Sequence, residues 1–162
     1  MQNSTSLSLK FSCKEFTSLS LQELYAIMQL RQEVFVVEQE CLYVDADGKD
    51  PQAWHLIGRN ERDKIVAYVR ILPKGITYAD YVSIGRVVTH QSIRGLGAGR
   101  ILVEKAIENL ERIFGAVSIK LSAQAYLLAF YQSLGFESVG PNYLEDGIPH
   151  IAMIKKQQHR ER

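Results

Sequence analysis

The segment VVTHQSIRGLGAGRIL, residues 87–102, decides the fold because its character changes twice along its length. It begins with β-branched residues, passes through polar ones, and ends in a helical apolar pattern. Between these parts, glycine occupies three alternate positions (Gly95, Gly97 and Gly99). Glycines between a strand and a helix let backbone N–H groups close on an anion, and the helix N-terminus adds roughly half a positive charge. The segment therefore predicts a phosphate or pyrophosphate site, with Arg94 and Arg100 adding charge.

Two common phosphate-binding motifs fail to match this segment. A P-loop requires a Gly-Lys-Ser or Gly-Lys-Thr ending, and the chain has neither. A dinucleotide-binding Rossmann site requires G-x-G-x-x-G and an acid at the end of the next strand, whereas the spacing here is G-x-G-x-G and the next strand ends in LSAQ, residues 121–124. A tight turn without a ligand remains an alternative at this point.

Outward from this corner, apolar periodicity predicts strands and helices in mixed order. A capping box at Ser20 and Glu23 starts a long helix over 20–39, and Gly115 caps the helix that follows the glycines. Strands are predicted at 7–13, 54–59, 64–72, 81–88, 116–123, 136–139 and 150–156, with a further short helix at 126–134. The order predicts an α/β (α+β) fold, a mixed sheet flanked by helices.

Composition narrows the class of protein. The 162 residues suit one domain, which we place at 7–156, followed by a basic tail at 157–162. A net charge of +1 gives no reason to expect nucleic acid as a partner. No window reaches the ~18 apolar residues of a membrane span, and the N-terminus lacks the apolar core of a signal peptide. With Cys13 and Cys41 expected as free thiols, the sequence predicts a cytoplasmic protein without membrane association.

Two motifs together resemble one known superfamily. RGLGAG at 94–99 is similar to the R-G-x-G-x-G pyrophosphate loop of the GCN5-related N-acetyltransferases, the GNAT superfamily. Downstream, QAYLLAFYQSLGF at 124–136 resembles that family's N-x-x-A-x-x-L-Y-x-x-x-G-F motif, with Gln124 in place of Asn and Leu127 in place of Ala. Three further stretches resemble the ElaA branch of the superfamily: 30–50, 84–88 and 143–153.

This resemblance implies a mostly antiparallel central sheet, the acyl-CoA N-acyltransferase fold, and acetyl-CoA as co-substrate. It implies direct attack of a primary amine, from a small molecule or a peptide, on the thioester. Dimers are common in the superfamily, so a homodimer is an expectation without an identified interface. No metal is expected.

The resemblance also assigns roles to residues. It places the pyrophosphate against Arg94, Gly95, Leu96, Gly97, Ala98, Gly99 and Arg100, and the pantetheine arm along Val87, Val88 and Thr89. Splayed strands would leave the backbone N–H near Val88 free as an oxyanion donor. Tyr131 takes the position that protonates the leaving thiolate, with a buried structural tyrosine as the alternative. Gln124 is a candidate cofactor contact.

The acceptor side is less defined by sequence. Glu33 and Glu38 are candidate bases, and a base acting through water is an alternative. The acids Asp45, Asp47 and Asp50 are either a solvated loop, a lure for cationic amines or catalytic groups; their spacing is calcium-like but lacks an EF-hand frame. His150, after Glu145 and Asp146 in a turn-rich segment, is the candidate for the acceptor pocket, whereas His55 is expected to be structural.

Arg86 alternates with Val87 and is expected either to orient an acid or to form a buried ion pair. Two rival functions remain open. One is a CoA-binding sensor or interaction module without turnover. The other is a nucleotide-binding protein that uses the same loop for ATP or NAD.

Overall fold

The computed structural model describes residues 7–157, so the predicted tail lies outside the described residues except for Gln157. Seven strands form the core: β1 (Lys10–Glu15), β2 (Trp54–Arg59), β3 (Ile65–Leu72), β4 (Val82–Thr89), β5 (Ile119–Gln124), β6 (Glu137–Glu145) and β7 (Ile148–Lys155). Three helices accompany them: α1 (Leu21–Arg31), α2 (Ala98–Phe114) and α3 (Leu128–Ser133). No helix within 7–157 is long and apolar enough to cross a membrane.

The strands form one mixed sheet in the order β1-β2-β3-β4-β5-β7-β6. All neighbours are antiparallel except β4 and β5, which run parallel. The predicted fold class, a mostly antiparallel sheet flanked by helices, is confirmed. The single parallel pair arises because α2 carries the chain back across the sheet between these two strands.

Strand alternation divides the core between the two faces of the sheet. Leu56 packs with the cluster around α2, whereas its neighbour Ile57 packs with Ile27 and Leu30 of α1. The α2 side chains that face the sheet are fully buried (Leu102, Val103, Ala106 and Leu110). Helices therefore cover both faces, and the sheet strands carry the apolar runs expected of a doubly covered layer.

The first helix differs from the predicted single helix over 20–39. Its capping box forms as predicted, with the Glu23 N–H donating to Ser20 Oγ and the Ser20 N–H donating to Glu23 Oε1. After Arg31 the chain widens into a π-helical segment, Gln32–Glu38, whose i→i+5 bonds include Gln39 N–H to the Val34 carbonyl. Periodicity alone does not separate the two helix types because the apolar positions continue. Such segments occur often at functional sites.

The C-terminal hairpin is longer than predicted. The sequence placed strands at 136–139 and 150–156 and irregular chain between them, whereas β6 continues to Glu145 and turns at Asp146 and Gly147, both with positive φ. Pro141 lies within β6, although proline has no N–H to donate and is disfavoured inside a strand. Here β6 is the edge strand, and a register shift between Val139 and Tyr143 accommodates the proline. At the other end, β1 covers Lys10–Glu15 rather than the predicted 7–13.

Candidate active site

The cavity at the centre of the molecule lies between β4 and β5. The described pairing of these strands covers Val82↔Ile119 and Ser83↔Lys120, after which they diverge. A cavity of about 360 Å³ opens at this divergence. Residues from six parts of the chain line it, among them Phe35, Asp47, Tyr78, Val87, Gln124 and Tyr131. The open end of the parallel pair is thus a site where a ligand can lie against strand backbone.

A β-bulge shapes the β4 wall. The register with β3 passes from Arg70↔Gly85 to Tyr68↔Val88, which leaves one extra residue on β4. Arg86 lies in this bulge with a φ of 50°, a left-handed conformation that few non-glycine residues adopt. Bulges re-aim side chains and are common beside active sites. Here the bulge directs Arg86 towards the acidic loop before β2.

The register also decides which N–H groups of β4 are free. The His90 N–H donates to the Val66 carbonyl over 2.7 Å, so His90 faces β3. Because orientation alternates along an antiparallel strand, Val88 also faces β3, opposite Tyr68, and its N–H belongs to the ladder. This corrects the expectation that the Val88 N–H is the oxyanion donor. The same alternation turns Val87 and Thr89 towards the open edge beside β5.

The glycine corner lies at the end of β4 and starts α2. Gly95 and Gly97 have φ of 80° and 76°, and a Cβ built on either would meet no atom within 4 Å. Gly97 is the N-cap residue and offers no side-chain acceptor, so the first N–H groups of α2, from Ala98 to Arg100, have no capping partner. Leu96 is exposed and Gly99 packs near Phe130. The corner has the open space and the free donors that an anionic group needs.

The two arginines of this corner are engaged with the protein. Arg94 donates from Nη2 to the Thr89 carbonyl over 3.0 Å and forms an ion pair of 2.7 Å with Glu38 Oε2. Arg100 donates to Ser133 Oγ over 2.8 Å. Arg94 therefore fixes the corner to β4 and to the π-helical segment, and Arg100 fixes it to α3. Glu38, a candidate base, serves as the partner of Arg94.

Tyr131 lies in the wall of the cavity, as the second motif predicts. Its side chain packs edge-on against Phe130 and Phe136, and the residue is 5% exposed. Burial raises the pKa of Tyr131 to about 12, so the phenol carries its proton throughout the physiological range. Gln124 ends β5 in the same wall, opposite His150 in register.

The β6–β7 hairpin brings two more acids and a histidine to the cavity. Glu145, Asp146 and His150 line it together, as the sequence grouped them. His150 Nε2 lies 3.3 Å from Glu145 Oε2, and its Nδ1 lies 2.7 Å from the Ile148 carbonyl oxygen. The hairpin turn, which the sequence left irregular, is what brings these groups to the cavity.

The acids of the loop before β2 are not a solvated loop. Asp45 and Asp50 are buried, and together with Asp47 they pair with three arginines. We call this set the Arg–Asp cluster (Arg31, Arg70, Arg86, Asp45, Asp47 and Asp50). Equal numbers of positive and negative groups neutralise it, so these acids are not a lure for cations. Within residues 7–157 no group of three or more His, Cys, Asp or Glu side chains is arranged to hold a metal ion, the calcium-like spacing included.

Arg31 is the centre of the Arg–Asp cluster. Its guanidinium is fully buried, with Nε 2.7 Å from Asp45 Oδ2 and Nη1 2.6 Å from Asp50 Oδ1. Burial alone would raise the pKa of Asp50, but the hydrogen bond and charge of Arg31, together with Arg70, lower it below its usual range. The buried charges are stable because each one is paired.

Arg70 and Arg86 hold Asp47 and Asp45 at the cavity wall. Arg70 contacts both carboxylate oxygens of Asp47, at 2.7 and 2.8 Å, and this pairing lowers the pKa of Asp47 although burial acts to raise it. Arg86 Nε donates to Asp45 Oδ1 over 2.8 Å. Both interpretations of Arg86 are therefore met, since it orients an acid through a partly buried ion pair.

His55 is structural, as predicted. It is fully buried, and its Nδ1 lies 2.6 Å from the Tyr68 hydroxyl and its Nε2 2.9 Å from the Asp50 carbonyl oxygen. Sequence reasoning missed Arg31 and Arg70 altogether. The available clue was a charged residue inside the apolar run IVAYVRIL, residues 65–72, all of which are buried. Such a residue requires a buried partner.

Comparison with known proteins agrees with this architecture. The model of the acetyltransferase (GNAT) domain matches residues 17–157. The chain is 44% identical to a UPF0039 protein of Synechocystis over 148 residues, which are 91% of this chain and 96% of that protein. The crystal structure of an acyl-CoA N-acyltransferase from Pseudomonas aeruginosa is 44% identical, with a TM-score of 0.86 over 91% of this chain and 99% of that one.

The crystal structure of Escherichia coli ElaA is also similar, with 40% identity and a TM-score of 0.85 over 92% of this chain and 100% of that one. The family match spans β2 to β7, the glycine corner and the cavity. The chain therefore belongs to the GNAT acetyltransferase family, in its ElaA-like branch.

Proposed function

We propose that this protein is an acetyl-CoA-dependent N-acetyltransferase that acts on a primary amine. The observation that carries the proposal is the cavity between the diverging ends of β4 and β5, with Tyr131 in its wall and the glycine corner at the end of β4. A family membership alone gives acyl transfer. The cavity adds a protonated phenol and a separate group of acids within one enclosure.

The glycine corner fits a pyrophosphate. Its open Cβ positions at Gly95 and Gly97 let phosphate oxygens approach the main chain, and the free N–H groups from Ala98 to Arg100 supply donors. The pantetheine arm would run along Val87, Val88 and Thr89, bonding the outward N–H groups of Val87 and Thr89. Gln124 would face the arm from β5.

Acetyl-CoA supplies the acetyl group and a thiol as the leaving group. Tyr131 holds a proton at its Oη for the departing sulfur. A free thiol has a pKa of ~8.5 and a free phenol ~10, so this transfer is uphill in water. In the cavity, burial disfavours a thiolate as it does a phenolate, so burial raises the pKa of the thiol as well as that of Tyr131. We assign the oxyanion donor to the Val87 N–H, the nearest outward group after the bulge.

The acceptor end favours a cationic amine. Because the Arg–Asp cluster is neutral, the remaining negative groups there are Glu145 and Asp146. They line the cavity from the β6–β7 hairpin, and we expect a small-molecule or peptide amine to enter there. Free thiols at Cys13 and Cys41 suit a reducing compartment, and we propose a cytoplasmic location on that basis.

The first experiment is a thermal-shift comparison of acetyl-CoA, CoA, ATP and NAD, followed by an amine panel. A ligand bound only by the folded state stabilises it by about 2.7 kcal/mol at a hundredfold excess over Kd. We expect a rise in Tm with acetyl-CoA and CoA and none with ATP or NAD. CoA release with ethylamine, lysine, spermidine or a tripeptide then identifies the acceptor class. An equal rise with ATP would favour the nucleotide-binding alternative.

A further inference from the structure

We propose that His150, supported by Glu145, takes the proton from the acceptor amine, so that the β6–β7 hairpin supplies the base of the reaction. This inference rests on the proposed function. The geometry of the hairpin at the cavity carries it. Each ring nitrogen of His150 has its own partner, the Ile148 carbonyl for Nδ1 and the Glu145 carboxylate for Nε2, and Glu145 is more exposed than His150.

The first step is the tautomer of His150. Its Nδ1 lies 2.7 Å from the Ile148 carbonyl oxygen, which can only accept a hydrogen bond, so Nδ1 carries a hydrogen. In the neutral ring the lone pair is then on Nε2. A backbone carbonyl that fixes the Nδ1–H leaves the opposite nitrogen as the proton acceptor.

The second step concerns the carboxylate beside Nε2, which stabilises the ring once Nε2 is protonated. Glu145 Oε2 lies 3.3 Å from Nε2, so a proton taken up by His150 is immediately paired with a carboxylate. Ser122 Oγ donates to the same Oε2 over 3.3 Å and also bonds the Tyr143 hydroxyl. Tyr143 stacks on the imidazole, with centroids 6.3 Å apart. These contacts hold both members of the pair in place.

The third step is the exit of the proton. The His150 side chain is 11% exposed, whereas that of Glu145 is 50% exposed. A proton collected inside the cavity therefore has a route from Nε2 to the carboxylate and on to water. Tyr131 lies in the same cavity on α3, so acid and base approach the reacting atoms from different walls.

The balance of the reaction is complete with these two residues. The acceptor, an ammonium ion at neutral pH, first gives up a proton to His150 Nε2, and the neutral nitrogen then forms a bond to the acetyl carbon. The carbon–sulfur bond breaks, and the sulfur receives the proton of Tyr131 Oη. The second proton that the nitrogen loses as the amide forms restores the Tyr131 phenol through water, and His150 loses its proton through Glu145 to solvent. No oxidant, metal or covalent enzyme intermediate is required.

The test uses three variants and two nucleophiles of similar size. Ethylamine is protonated at pH 7, whereas trifluoroethylamine is neutral there and does not need deprotonation before attack. For His150→Gln we expect kcat/KM with ethylamine to fall about 100-fold, the scale of general-base catalysis. With trifluoroethylamine we expect a loss below about fivefold, because the variant lacks only the base.

Glu145→Gln and Asp146→Asn are a matched pair, since each removes one negative charge from the same hairpin. We expect about a tenfold loss of kcat with ethylamine for Glu145→Gln, which contacts the ring, and only a smaller rise in KM for Asp146→Asn, since Asp146 attracts the cation but is absent from the described contacts of His150. The thermal shift with acetyl-CoA checks that each variant is folded and binds its co-substrate.

Equal losses with both nucleophiles in His150→Gln would overturn the proposal, because a merely structural role does not distinguish them. Equal losses in Glu145→Gln and Asp146→Asn would also overturn it, since they would indicate general attraction of a cation. These results differ from failure of the proposed function, in which the wild-type protein shows neither stabilisation by acetyl-CoA nor transfer to any amine.

Discussion

The glycine corner at the end of β4 and the Arg–Asp cluster, three of whose members line the cavity, are built by opposite means. The corner uses main-chain N–H groups within seven consecutive residues, 94–100, and needs side chains chiefly to be absent. The cluster uses six charged side chains from α1, the loop before β2, β3 and β4. Under the proposed function, the co-substrate would be recognised locally, whereas the cavity wall formed by the cluster is assembled from distant parts of the chain.

This difference has an energetic side. Exposed backbone donors at a helix N-terminus are solvated before a ligand binds, so the corner does not need partners from the rest of the fold to be stable. The buried charges of the cluster are stable only when each is paired with an opposite charge, because an unpaired buried ion is strongly destabilising. Damage to the corner should therefore impair binding, whereas damage to the cluster should impair folding.

The largest expected effect is on the stability of the cluster. Replacing Arg31 with Ala leaves Asp45 and Asp50 without their buried partner, and we expect the free energy of unfolding to fall by about 3–5 kcal/mol. Urea denaturation measures the change. The control is Lys105→Ala, which removes the exposed pair with Glu108 and should change stability by less than about 1 kcal/mol. Similar losses in both variants would contradict the distinction.

The next effect is on the rate of transfer. Tyr131→Phe removes the phenol from the cavity but keeps the ring that packs against Phe130 and Phe136. We expect kcat to fall about 100-fold, with acetyl-CoA affinity unchanged. Steady-state kinetics and a thermal shift measure the two quantities. An unchanged kcat would indicate that Tyr131 has only a structural role. Absence of turnover in both the wild type and Tyr131→Phe would favour the alternative of a CoA-binding sensor.

A smaller effect should separate binding from strain at the corner. Gly97→Ala places a Cβ on a residue with a φ of 76°, which costs about 1–2 kcal/mol and also obstructs the proposed pyrophosphate site. Gly115→Ala, at the other end of α2 with φ 80° and ψ −162°, is more strongly strained but lies away from the cavity. We expect a larger loss of Tm in Gly115→Ala, but weaker acetyl-CoA binding only in Gly97→Ala. If calorimetry gave equal acetyl-CoA affinities for Gly97→Ala and Gly115→Ala, the glycine corner would not be part of the binding site.

The smallest effect concerns acid. The pKa values of Asp47 and Asp50 are lower in the folded protein than the ~3.9 of an unfolded chain. The stability that these two ionised carboxylates give the folded protein is therefore fully present above about pH 5. It is lost progressively as the pH falls below that value towards the lower pKa values of the folded state. We expect the urea midpoint to decline from pH 5 to pH 3 and the decline to be shallower in Asp47→Asn. Parallel declines in the two proteins would show that Asp47 does not contribute to acid sensitivity.

Much of the fold and the position of the glycine corner were predictable from sequence. The glycine corner, the capping box at Ser20 and the order of strands and helices along the chain depend on local rules: missing Cβ atoms, a three-residue spacing and alternation. Tyr131 followed from a motif on one short helix. Each of these features depends on residues close together in sequence, which are also close together in space within one helix, turn or strand.

The rest depended on contacts between distant segments. The sequence did not pair Arg31 or Arg70 with the acids of the loop before β2, because an ion pair across 14 or 23 positions leaves no periodic trace. It assigned the oxyanion donor to Val88, whereas the bulge at Arg86 and the register with β3 direct that N–H into the sheet.

The sequence by itself therefore determined the fold class, the glycine corner between β4 and α2, and the likeness to a family of acyltransferases. The tertiary structure decided which charges are buried together, which backbone groups face the cavity, and that Glu145 lies beside His150. The physical reason is that backbone conformation and capping are set by short-range sterics and hydrogen bonds. Burial of charge and strand register are set by the packing of the whole sheet, where each group depends on partners far away in the chain.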